Sequence, residues 1–276
     1  MTSTRDRQRA AARARLEKDM AERAAKARRR RQTQAIVAAA GALVLVVAGS
    51  VWLAGQFGGD EPEQTAGPAA GQVQCAFTEV PTDQRPPQIK DVGLPGAEQP
   101  NTGVQTLTIT TNLGPITARV DRAAVPCTAG SFAHLAAEDF FDNTKCHRLV
   151  TEGIKVLQCG DPSASGKGWR DTDGIGGPSY RLAEENLPTD KRPPYPEGVI
   201  AMANSGQPGS TGSQFFIVYG DSPLDPNYTV LGTLTGGLDI VKEVAAAGDD
   251  GAFAQQAGGG HPKKEVVITD LTLTDA

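Results

Sequence analysis

With 276 residues, 39% of them hydrophobic, the chain has room for one or two domains. Its net charge of −5 conceals a sharp division: residues 1–31 hold twelve basic and four acidic side chains, a balance of +8, which leaves −13 for the rest. The basic part carries no aromatic residue, so the stacking that nucleic-acid binding uses is missing and no nucleic-acid partner is expected.

Residues 1–33, rich in Ala, Arg, Glu and Lys, predict a basic helix with charges spaced for pairing at i and i+4. Next to a bilayer, the charges of residues 1–31 would also favour contact with anionic lipid headgroups. The uncharged, mostly apolar run Ala35–Gly55 has twenty-one residues, enough helix to cross a hydrocarbon core of about 30 Å. A single transmembrane helix is therefore expected over residues 34–56. Arg28–Arg31 precede the run and Asp60, Glu61 and Glu63 follow it, which places the N-terminus in the cytoplasm and the rest outside the cell membrane. A cleaved signal peptide ending near Ala48–Ser50 is the competing reading, but both the basic and apolar stretches are long for one. Residues 57–103, rich in Pro, Gly, Gln and acidic side chains, predict a flexible linker, with Cys75 its one reactive atom.

Residues 104–276 read as a globular domain. Alternating apolar positions in Gln105–Thr111 and Ile116–Val120, joined by turn formers at Asn112–Pro115, predict a hairpin. Pro126–Ala137 carries a helical pattern with Thr128 as its candidate cap, and Gly237–Ala246 a second one through Leu238, Val241 and Val244. Further strands are expected at Cys146–Val150, Lys155–Gln158, Val199–Ala203, Gln214–Val218, Val230–Thr235 and Glu265–Leu273. Short strands with two helices predict a mainly β barrel.

Two segments carry the chemistry, Cys146–Asp161 (CHRLVTEGIKVLQCGD) and Gly198–Ile217 (GVIAMANSGQPGSTGSQFFI). They offer Arg148 and Gln158, then Asn204, Gln214 and Phe216 around a Gly/Ser loop. No nucleophile stands beside a base: Ser210 and Ser213 sit in the Gly-rich loop without a strand-turn-helix elbow. His134, His147 and His261 are scattered and no Cys-x2-Cys occurs, so neither a metal nor a cofactor is expected. Such a set suits a reaction without proton transfer. Rotation about an X-Pro bond is one, because its barrier of about 18–20 kcal/mol arises from amide resonance.

CHR, QCGD, MANSG and GSQFF, in that order, resemble the cyclophilin signature FHR, QGGD, MANAG and GSQFF, and VPCTAGSFAHLA resembles the family's VPKTAENF helix. The resemblance runs from about Thr106 to Leu273. It implies an eight-stranded antiparallel barrel capped by two helices, with the substrate groove on the outside. It further implies Arg148 as the catalytic arginine, Gln158, Asn204, Gln214 and Ala203 along the groove, and Val156, Phe216 and Leu224 as its apolar wall. Tyr228 falls where many members have histidine. The implied activity is peptidyl-prolyl cis-trans isomerisation of exported proline-containing polypeptides without a cofactor. The alternative is a non-catalytic proline-peptide module, holdase or scaffold at the membrane surface.

Four cysteines permit three pairings. In the family's arrangement Cys146 and Cys159 would face each other on neighbouring strands, leaving Cys75 for Cys127. Departures from the pattern are two extra residues in TEGIKV, where Ile154 and Lys155 are imperfect stand-ins for a groove phenylalanine, and enlarged loops at Ser163–Gly174 and Asp249–Pro262. Pro223 replaces the tryptophan of cyclosporin-sensitive members, so weak inhibition by that drug is expected.

Overall fold

The computed structural model describes residues 68–276. The expected basic helix and transmembrane helix lie outside the described residues. Among the described residues no helix is long and apolar enough to cross a membrane.

Nine strands form one antiparallel sheet: β1 (Val104–Thr111), β2 (Gly114–Asp121), β3 (Thr144–Lys145), β4 (Arg148–Val150), β5 (Val156–Cys159), β6 (Val199–Met202), β7 (Phe215–Val218), β8 (Val230–Gly236) and β9 (Val267–Asp275), in the order β3-β9-β1-β2-β8-β6-β7-β5-β4. Its edge strands β3 and β4 are consecutive in the chain, separated only by Cys146 and His147. The expectation of eight strands is corrected on this point. Lys145 pairs with Val267 of β9 and Arg148 with Gln158 of β5, so β3 and β4 serve opposite edges of a curled half-barrel, and the strand expected at Cys146–Val150 covers only β4.

Side-chain alternation decides what lies inside. In β1 the buried positions are every second residue, Leu107 and Ile109 among them, and these pack with Ile116, Ala118 and Val120 of β2. In β6 and β7 every residue is buried, so both faces of the sheet are covered there. Ile200, Met202, Phe215 and Ile217 belong to the interior core, whereas Val199, Ala201, Phe216 and Val218 belong to a second apolar cluster on the outside. That outer cluster is the foundation of the groove described below.

Helix α1 (Pro126–Ala137) opens with Pro at its first turn, where a missing N–H costs nothing, and lays Phe132 against Phe141 and Phe215 at 5.4 and 5.8 Å between ring centroids. Thr128, the expected cap, instead lies inside the helix and is buried. Its backbone N–H donates to Glu185 Oε1 at 2.6 Å, so a carboxylate distant in sequence fills the capping role. Glu185→Gln should lower unfolding stability by about 0.5–1 kcal/mol, read by chemical denaturation. Helix α2 (Leu238–Ala247) follows Gly237, whose φ of +81° and approach to the Ile116 backbone leave no room for a side chain.

Residues 68–103 are not a free linker but a strap bound to the barrel. Gln72–Gln74 pairs with Glu98–Pro100, Thr78–Glu79 with Tyr180–Arg181, and Ile89–Lys90 runs parallel to Gly177–Pro178. Cys75 is bonded to Cys127 of α1, and Phe77 meets the Tyr180 ring edge-on at 5.6 Å. Arg85 gathers Val80 O, Glu79 and Asp91 at 2.5–2.7 Å, and a hydrogen bond from Ser179, with others from Gly93 and Arg85, holds the Asp91 carboxyl below its usual range. Backbone pairing and one covalent bond thus order a segment too poor in apolar residues to fold alone. The second disulfide, Cys146–Cys159, joins the residue after β3 to the end of β5.

Candidate active site

The outer face of β4–β7 carries a groove of about 420 Å³. Val156 and Phe216, both nearly fully buried, form its floor, with Ala203, Leu224 and Ile154 around them. Phe216, Tyr195 and Tyr228 make three edge-on ring contacts at 5.5–6.1 Å, a rigid aromatic corner. Tyr195 fixes that corner: its hydroxyl donates to Tyr228 O at 3.0 Å and accepts from Tyr228 N–H at 2.8 Å. Burial pushes its pKa up to about 12, so it stays protonated. Phe215 points the other way, into the core, as strand alternation requires.

Arg148 stands on β4 directly across from Gln158 on β5. Its Nη1 donates to Gln158 Oε1 at 3.1 Å, its Nε to Gly258 O at 3.1 Å, and its Nη2 to Ala257 O. These use three of the five guanidinium N–H groups and leave two to offer a ligand. Partial burial lowers its pKa from the ordinary arginine value, which still leaves it charged at neutral pH. Gln158 is oriented in turn, Nε2 donating to Gln214 Oε1 at 2.9 Å, and Gln214 Nε2 donates to Gly174 O and Gly176 O at 2.8 and 2.9 Å. Every amide in this relay therefore has one defined orientation.

Asn204 lies on the rim. Its side chain bridges two loops, donating to Asn227 O at 2.9 Å and accepting from Gly206 N–H at 3.0 Å. Among the described residues its own backbone N–H and C=O make no hydrogen bond, so they can pair with an extended peptide. Gln214 does not line the groove; it braces Gln158 from behind and lines a neighbouring pocket. Of the imperfect stand-ins in TEGIKV, Ile154 joins the groove, whereas Lys155 turns its ammonium to Thr151 O.

The enlarged loops both reach the groove, the first through Asp171, Asp173 and Gly174, the second through Phe253, Gln256 and Ala257. They are clipped together: the Trp169 ring stacks on His261 at 4.5 Å, Phe253 meets His261 edge-on at 4.8 Å, and Lys145 Nζ lies 4.0 Å above Trp169. The His261 ring is held by Asp250 at 2.9 Å. Sequence patterns missed these groove contacts and Tyr195; loop length was the only signal for the former, and nothing marked the latter. No group of side chains suited to a metal ion occurs among the described residues.

His147, 2% exposed, borders the groove, and among the described residues neither of its ring nitrogens is paired. Burial is the largest influence on it and lowers its pKa to about 4, against the pull of Asp161 and Asp173. The folded protein therefore keeps it neutral where the unfolded chain takes up a proton, below about 6.5. Its contribution is unchanged above pH 6.5, and stability is lost as pH falls from there toward 4. Denaturation at a series of pH values should show wild type losing stability faster across that window than His147→Gln.

Comparison with known proteins bears on this site. Residues 106–273, more than half of the chain, match the family model described as cyclophilin type peptidyl-prolyl cis-trans isomerase/CLD. A probable peptidyl-prolyl cis-trans isomerase B of Mycobacterium leprae (strain TN) is 46% identical over 175 residues, 59% of this chain and 55% of that protein. A protein of the same description from Mycobacterium tuberculosis (strain ATCC 25618 / H37Rv) is 40% identical over 202 residues, 67% and 60%. The chain thus spans somewhat more than half the length of these curated relatives. A crystal structure of a Cryptosporidium parvum cyclophilin type peptidyl-prolyl cis-trans isomerase superposes with a TM-score of 0.52 at 26% identity, covering 63% of this chain and 99% of that one. The same protein has been crystallised in the presence of the dipeptide Ala-Pro, and that structure matches with a TM-score of 0.51. On the extent of the family match, together with the outward groove built on β4–β7, the chain belongs to the cyclophilin-type peptidyl-prolyl cis-trans isomerase family.

Proposed function

We propose that the chain catalyses cis-trans isomerisation of X-Pro bonds in polypeptides, with Arg148 as the catalytic residue. The observation that carries this reading is a guanidinium fixed at three of its N–H groups beside an apolar pocket floored by Phe216. The pocket takes the proline ring, and the free backbone of Asn204 takes the preceding peptide, so rotation is confined to one bond. As that bond twists, its nitrogen loses resonance and becomes a better hydrogen-bond acceptor. A donor already in place binds this state more strongly than the planar one, which lowers the barrier without acid, base or metal. The dipeptide in whose presence the Cryptosporidium relative was crystallised, Ala-Pro, is of the expected ligand class.

The test is the exchange rate between cis and trans forms of a short X-Pro peptide, measured by NMR with the full-length chain. Acceleration supports the reading; binding without acceleration would make the groove a proline-peptide module, holdase or scaffold.

The setting we propose is extracytoplasmic, with the chain held by a single-pass anchor over residues 34–56 and acting on exported polypeptides. Support comes from the uncharged run behind Arg28–Arg31 and from two disulfides that use all four cysteines, chemistry suited to an oxidising compartment. Protease added to intact cells should then degrade residues 68–276; full protection would overturn the topology.

A further inference from the structure

Next to the groove, and sharing Gln158, Gly174, Ile175, Ala203 and Asn204 with it, lies a second pocket of about 410 Å³. Its walls are mostly Gly and Ser, and its one charged residue is Arg181. We propose that this pocket receives the carboxylate of an Asp or Glu side chain close to the proline of the bound peptide, so that Arg181 makes the protein selective for acidic X-Pro segments. The proposal rests on the reading of the groove as the proline site.

Three observations carry it. First, among the described residues Arg181 has no acidic partner: it forms no ion pair, no carboxylate lines the pocket, and burial alone, with no neighbouring charge, acts on its ionisation. A half-buried cation left uncompensated is costly, and a ligand carboxylate would relieve that cost. Second, the side chain is oriented with its binding edge free. Nη1 donates to Pro178 O and Tyr180 O, each at 2.7 Å, which fixes the plane. Nε and Nη2 make no hydrogen bond among the described residues, yet they are not sealed from solvent. That edge is the fork which matches a carboxylate in two parallel hydrogen bonds. Third, the guanidinium lies between Gly177 and Gly212, where an added Cβ would stand 3.6 Å from Nη1, so no side chain from either position covers it.

The acidic groups nearby are already committed or lie elsewhere. Asp161 accepts from Ser163 and from the N–H groups of Gly174 and Gly176, Asp173 is paired with Arg170, and Asp171 faces the groove rather than this pocket. Glu184 is occupied by Gly209 N–H and Thr211.

The test uses the full-length chain and a set of X-Pro peptides carrying one Glu, or its neutral isostere Gln, at each position flanking the proline. Both kcat/KM and Kd are measured at low and high salt. At one position the Glu peptide should be favoured by about fivefold to tenfold at low salt, and salt should weaken that preference. Arg181→Gln should bring the Glu/Gln ratio to one, and Arg181→Lys, which keeps the charge but loses the fork, should keep part of it. Equal handling of Glu and Gln peptides at every position, or a preference that survives in Arg181→Gln, overturns the proposal while leaving the groove reading intact. If the peptides bind without turnover, the ratio of Kd values decides in the same way. A chain that binds none of them overturns both readings.

Discussion

Replacing Arg148 with alanine should lower kcat/KM for an X-Pro peptide by about two to three orders of magnitude if the proposed role holds, the usual cost of removing one fixed donor to a developing charge. Folding should change little by comparison. Of the partners it leaves, Ala257 and Gln158 line the groove and Gly258 follows Ala257 in the chain, so water from the groove can replace the lost donors. The loop that supplies two of them keeps its own ties, since Gly260 exchanges both backbone hydrogen bonds with Leu149 at 2.8 and 3.0 Å. Arg148→Lys should recover only part of the rate. An ammonium keeps the charge but not the planar fork that bonds Gln158 and Gly258 together, so the donor is no longer held in one place. Peptide affinity, set largely by the apolar floor, should fall much less than turnover in both variants. Turnover in Arg148→Ala equal to that of the unmutated chain would remove Arg148 from the mechanism, and the thermal midpoint, measured alongside, separates that result from misfolding.

The sequence was most readable where function and regular structure coincide. Gln158, Ala203 and Phe216 lie on or next to short strands whose alternation assigns each side chain to one face, and Phe215 and Phe216 divide between core and groove accordingly. Local pattern does not reach contacts made by distant segments. The cap of α1 comes from Glu185, and Tyr195 locks the aromatic corner from a stretch with no motif of its own. The strand expected at Cys146–Val150 contains β4 but not β3, because the two residues Thr144 and Lys145 are too short a run to show alternation and only their pairing with β9 makes them a strand. Residues 68–103 were the largest misjudgement. Composition reports how much apolar surface a segment can bury, and this one has little, but its order comes from backbone groups that complete one short ladder within the strap and two with Gly177–Pro178 and Tyr180–Arg181, and from Cys75.

That strap gives the second large expected effect. Cys75→Ser combined with Cys127→Ser should lower stability by about 4 kcal/mol on the chain-entropy account, because the bond closes a loop spanning 52 positions. For a unit of this size the thermal midpoint should then fall by roughly 8–16 °C. Amide hydrogen exchange should locate the change: protection is lost first over residues 68–103, which two two-residue ladders and polar contacts such as Ser179–Asp91, Lys90–Asp139 O and His134–Val92 O then tie to the barrel without a covalent bond. An unchanged midpoint and an already unprotected strap would restore the flexible linker. The functional consequence should be uneven. The groove rests on β4–β7, where the strap adds no strand, so turnover of a neutral X-Pro peptide should survive in the variant. Gly177–Pro178 and Tyr180–Arg181 are the segments the strap pairs with, and they carry one wall of the neighbouring pocket and its arginine. Discrimination between acidic and neutral peptides should therefore weaken before catalysis does, which ties the strap to selectivity and not to the isomerisation step.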